Sequence, residues 1–85
     1  MNKDMEMDTL KEKSERWKAT AEIFLKQNIQ AFIKDTSDNI YLCDILFVGE
    51  DSLTVQCFAP SQRKDRKIVL YYPLITRMEE YREEA

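Results

Sequence analysis

Residues 40–58 read Ile40-Tyr41-Leu42-Cys43-Asp44-Ile45-Leu46-Phe47-Val48-Gly49-Glu50-Asp51-Ser52-Leu53-Thr54-Val55-Gln56-Cys57-Phe58, two apolar-alternating runs around the short turn Gly49-Glu50-Asp51. A strand points successive side chains to opposite faces, so apolar residues at every second position define one buried face. With the turn centred on Glu50, Phe47 faces Leu53, Ile45 faces Val55 and Cys43 faces Cys57. This register gathers the odd-numbered apolar side chains on one side, and a one-residue slip would turn them to solvent. The stretch therefore predicts an antiparallel hairpin with strands over 40–48 and 52–58.

Upstream, Thr9-Leu10-Lys11-Glu12 fits the S/T-x-x-E capping box, in which the hydroxyl and the carboxylate each satisfy a free backbone N–H. It predicts a helix over 9–26 behind a flexible tail, 1–8. Leu10, Trp17, Ala21, Phe24 and Leu25 fall on one side of that helix, with charges on the other. Asn28 ends it, a strand over 29–34 follows, and Asp35-Thr36-Ser37-Asp38-Asn39 supplies turn chemistry. Beyond the hairpin, Ala59-Pro60-Ser61-Gln62 breaks the strand and Arg63-Lys64-Asp65-Arg66-Lys67 forms a charged loop. Strands over 67–72 and 74–78 flank Pro73, which cannot donate to a ladder. Residues 79–85 form an acidic tail in which Glu79, Glu80, Glu83 and Glu84 are solvated. The fold class is mainly β with one N-terminal α-helix: five short, strongly bent antiparallel strands in a small, partly open, SH3-like barrel.

Composition narrows the function. A chain of 85 residues makes one small domain and buries only roughly 60% of its unfolded surface, so added stability is needed. With two Cys and no His, a zinc site and a disulfide scaffold are disfavoured; the hairpin register lets Cys43 and Cys57 reach one another, and two buried thiols are expected in preference to a bridge. Oligomerisation remains as the stabilising device. The polar N-terminus does not read as a signal peptide, and no apolar run approaches membrane length, so a cytoplasmic protein without a membrane role is expected. The net charge of −3 argues against a general polyanion binder. No activated nucleophile, phosphate-cradling glycine loop or metal set is present, so neither enzyme activity nor a cofactor is expected. Asp35 and Asp38, the nearest approach to a carboxylate pair, suit a turn better.

The order of elements and the segments Phe24-Leu25, 43–55 and 70–78 resemble the Sm-like family, most closely its bacterial host-factor (Hfq) type. The resemblance spans about Phe24 to Met78 and lies in hydrophobic pattern and spacing. It implies an N-terminal helix, five bent strands, assembly into a homo-oligomeric ring and RNA binding. Cys43 stands where the family usually has Gly, and Gly49 where it has an acidic residue. In the segment that reads RNA in the family, Tyr71-Tyr72-Pro73 keeps the aromatic and lacks the cation.

Two sets of residues carry the functional expectation. Arg63, Lys64, Arg66 and Lys67 could meet phosphates of single-stranded RNA, or serve only as a solvated hairpin tip. Tyr71 or Tyr72 could stack on a splayed base, but alternation lets at most one do so. Ile68, Val69, Leu70 and Tyr71 are apolar on both faces of one strand, and are expected to pair with the next subunit in a ring. Trp17 fits either core or a docking face, and Phe24 fits core. The alternative function is a protein-interaction scaffold on the same barrel with no nucleic-acid role.

Overall fold

The computed structural model describes residues 2–82. Helix α1 (Asn2–Gln27) leads into a single five-stranded antiparallel sheet. Its strands are β1 (Ala31–Asp35), β2 (Ile40–Val48), β3 (Ser52–Ala59), β4 (Lys67–Tyr71) and β5 (Ile75–Glu80), in the spatial order β4-β3-β2-β1-β5.

The helix begins earlier than the capping box suggested. Residues 2–8, expected as a flexible tail, are helical, which places Thr9 inside the helix. Lys, Met and Glu in this segment are good helix formers. Met1, and the tail residues Glu83 and Glu84, lie outside the described residues. The other end is as expected. Asn28 takes a left-handed φ of 57°, its N–H donates to Leu25 O (3.3 Å), and Ile29 N–H donates to Phe24 O (2.8 Å). These are the two bonds of a Schellman cap, and they use Ile29, so β1 starts at Ala31 and not at 29.

The hairpin register holds in its middle and shifts at both ends, Leu42 meeting Ala59 at the base. Cys43 faces Cys57 and Ile45 faces Val55, but a bulge at Leu46 puts Phe47 opposite Thr54 and Val48 opposite Leu53. The expected Phe47–Leu53 pair does not form. Phe47 turns outward and is 63% exposed, while Val48 packs against the core. An extra residue in one strand of a pair produces this reversal of facing.

Asp35 organises the β1–β2 turn. Its Oδ1 accepts from the N–H groups of Ser37 and Asn39, and its Oδ2 accepts from Asn39 Nδ2 and the Tyr41 hydroxyl (2.8 Å). Burial alone would raise this carboxyl, but the bonds from Tyr41, Asn39 and Ser37 outweigh it and hold it below its ordinary value. Stability from this group is therefore present above the ordinary carboxylate range and lost as pH falls through the lowered value. Asp35→Ala is expected to cost about 2 kcal/mol near neutral pH, and the deficit should shrink toward about pH 3. Urea unfolding at both pH values measures it.

Strands β4 and β5 are neighbours in sequence but lie at opposite edges of the sheet. Across a flat five-stranded sheet those edges would stand about 19 Å apart. The 3-10 turn Tyr72–Leu74 that joins them advances only about 2 Å per residue. The sheet must curl, and it stops short of closing into a barrel.

Tyr72 fills the inside of that curl. It is fully buried, its hydroxyl donates to Gly49 O (2.7 Å), and its N–H donates to Asp51 O (3.1 Å). Helix α1 closes the core with Ala21, Phe24 and Trp17. Trp17 Nε1 donates to Ile75 O at 3.1 Å, so its side chain belongs to the core wall.

Candidate nucleic-acid interface

The charged segment hangs from the end of β3. Arg63 N–H bonds to Pro60 O across the 3-10 turn Ser61–Arg63, and Asp65 takes a left-handed φ of 66°. Asp65 N–H then donates to Cys57 O (2.8 Å), and Cys57 N–H donates to Arg66 O (2.9 Å). The far end of the loop is thus fixed on Cys57 by two bonds.

Its four cations have different fates. Arg63 is half-buried: Nη2 donates to Asn39 Oδ1 at 3.1 Å, and the guanidinium lies over the Tyr41 ring, 5.0 Å from its centroid. The Tyr41 hydroxyl donates in turn to Asp35, so Arg63 braces the β1–β2 turn and is withdrawn from the surface. Lys64, Arg66 and Lys67 are exposed, and none of them forms an ion pair among the described residues.

The two tyrosines also separate. Tyr72 is core, so no base can stack on it. Burial, and then the charges of Glu22, Glu50 and Asp51, push its phenol up to about 12, which keeps the hydroxyl a donor to Gly49. Tyr71 is 54% exposed but lies at the far end of β4 from the basic loop, about 13 Å from Lys67. It pairs with Ser52, next to the acidic turn Glu50-Asp51, a setting that disfavours a phosphate backbone. The structure therefore does not bring an aromatic and the cations into one RNA-reading cluster.

The strand expected at an oligomer interface is divided by its faces. Leu70 is 6% exposed and belongs to the core, and Ile68 packs against that core. Val69 (51% exposed) and Tyr71 remain uncovered. Val69 continues an outward row across the sheet through Thr54 to Phe47, which the bulge created. Sequence pattern did not reveal this row, because Leu46-Phe47-Val48 is apolar throughout and accepts either facing. The stacking of Arg63 on Tyr41 was equally hidden, since nothing local links residues so far apart in sequence.

A groove of about 380 Å³ between α1 and the β2–β3 turn is lined by Lys11, Ser14, Glu15, Lys18, Glu50 and Asp51. Its charges are mixed, and Lys18 is paired to Glu50 at 2.9 Å, so no set of like groups converges on a ligand. Among the described residues there is no cluster able to hold a metal ion, and no helix long and apolar enough to cross a membrane. Compared with protein-family models, curated proteins and solved structures, the chain matches none of them.

Proposed function

We propose that the chain is an Sm-like, ring-forming protein that binds single-stranded RNA on its assembled surface. The observation that carries this reading is the uncovered β4 edge, whose outward side chains Val69 and Tyr71 are exposed while Leu70 and Tyr72 fill the core.

Backbone alternation supports a particular seam. Cys57 and Asp51 both direct backbone bonds to the β4 side, to Arg66 and Tyr72 respectively. In an antiparallel ladder such residues recur at every second position, so Ile68 and Leu70 bond to β3. Lys67, Val69 and Tyr71 then direct their backbone groups to the open edge. At the other edge, Tyr81 N–H donates to Gln30 O, which by the same alternation turns Met78 and Glu80 outward. An antiparallel meeting of β4 with the β5 edge of a second copy sets Val69 opposite Met78 and Lys67 opposite Glu80. That register matches opposite charges. Repeated head to tail, it closes a ring and removes both free edges.

Lys67 then faces the seam, which leaves Lys64 and Arg66 to meet phosphates. Two cations per subunit bind weakly alone, and repetition around a ring supplies the avidity. The test has two arms. By light scattering, the wild type is expected as an oligomer and Val69→Pro as a monomer, since proline removes an edge donor that β3 does not use. Lys67→Glu should weaken assembly, and adding Glu80→Lys should restore it. In filter binding, Lys64→Glu with Arg66→Glu should abolish salt-sensitive retention of single-stranded RNA without dissociating the oligomer. A wild-type monomer sinks the assembly. An oligomer that retains no RNA at low salt makes the protein-interaction scaffold the better reading.

A further inference from the structure

Cys43 and Cys57 face each other across β2 and β3, and both are fully buried on the core side. Cys57 directs its backbone N–H to Arg66 and its carbonyl to Asp65, both on the β4 side of its strand. Toward β2 it therefore makes no ladder bond, and the cysteine pair occupies a non-hydrogen-bonded position. Opposed residues there approach to about 4.5 Å between Cα atoms, closer than in a hydrogen-bonded pair. Disulfides accept Cα separations of about 4.4–6.8 Å, so a pair in such a position lies inside the range at its short, strained end, here beside the register shift between Leu42 and Cys43. Both thiols are reduced here, and Cys43 Sγ is turned toward the carbonyls of Ala31 (3.8 Å) and Tyr41 (3.9 Å). Rotation of that side chain is what a bridge requires.

We infer that Cys43 and Cys57 form a dithiol site that exchanges with small-molecule disulfides, closing reversibly into a cross-strand disulfide. In the first step one cysteine thiolate attacks a sulfur of the reagent disulfide, forming a mixed disulfide and releasing one reagent thiolate. The second cysteine then attacks the protein-side sulfur of that mixed disulfide and releases the other. The cysteine pair loses two electrons and two protons, and the reagent is reduced to two thiols. A bond strained in this way is more readily reduced than a relaxed structural one.

Burial controls the rate. It pushes the Cys43 thiol up to about 12, with Cys57 and Asp44 adding to the effect, and it raises Cys57 as well. Thiolate is scarce and the reagent has no path to the sulfur in the closed sheet, so exchange waits on local opening of the β2–β3 ladder.

The experiment is exposure of the intact chain to oxidised glutathione, with and without a sub-denaturing concentration of urea. The expected product is a chain lighter by two hydrogens and not cross-linked to another chain, with no thiol left to alkylate after denaturation. It should form faster in urea and revert to the dithiol under excess reduced glutathione. Cys43→Ala and Cys57→Ala should each stop at a single glutathione adduct. Two free thiols persisting in urea, a stable doubly glutathionylated chain, or bridges only between chains would each overturn the inference. So would a bridge that excess reduced glutathione leaves closed.

Discussion

Tyr72→Ala is expected to lower the unfolding free energy by about 4 kcal/mol, the largest loss from any single truncation in this core. The ring is fully buried where the curled sheet turns from β4 into β5, and no neighbouring segment can collapse into its place without straightening that curl. Small domains have only about 5–15 kcal/mol in total, so the variant should be partly unfolded at ordinary temperature. Tyr72→Phe keeps the ring and leaves Gly49 O without its donor, at a cost of about 1 kcal/mol. Urea midpoints followed by circular dichroism distinguish the two contributions. Equal losses in both variants would mean that the hydroxyl, and not the ring, holds this corner.

Trp17→Ala should cost about 3 kcal/mol, because it removes a large half-buried ring and the donor to Ile75 O together. Its effect should differ in kind from that of Tyr72. Helix α1 would lose its hold on the first residue of β5, and amide exchange should rise first along residues 11–20 while the β2–β3 ladder stays protected. Trp17→Phe should recover most of the packing but not the bond. Uniform exchange across helix and sheet would show that α1 and the sheet unfold as one unit.

How much of this could be read beforehand depended on whether a feature was local. The Schellman end at Asn28, the Asp35 turn and the Cys43–Cys57 and Ile45–Val55 pairs each follow from neighbours or from one alternating pattern. The facing of Phe47 did not, because three consecutive apolar residues carry no period and a single bulge reverses the outcome. The candidate site fared similarly. A run of Arg and Lys announces a basic loop, but only the fold reveals that Arg63 rests on Tyr41, 22 positions earlier in β2. Alternation did foresee that Tyr71 and Tyr72 part company, without saying which one would be enclosed. The earlier helix start was missed because a local capping motif was read as a boundary, whereas helix propensity carries the helix past it.

The pairing of β1 with β5 joins residues about fifty positions apart, such as Ala31 and Glu80. During synthesis, β1 emerges long before its second neighbour exists. Until the closing strand arrives, one flank of β1 stays open to any passing ribbon. Nascent chains halted before Ile75 should therefore be sticky, and maturation should wait on the codons for Ile75–Glu80.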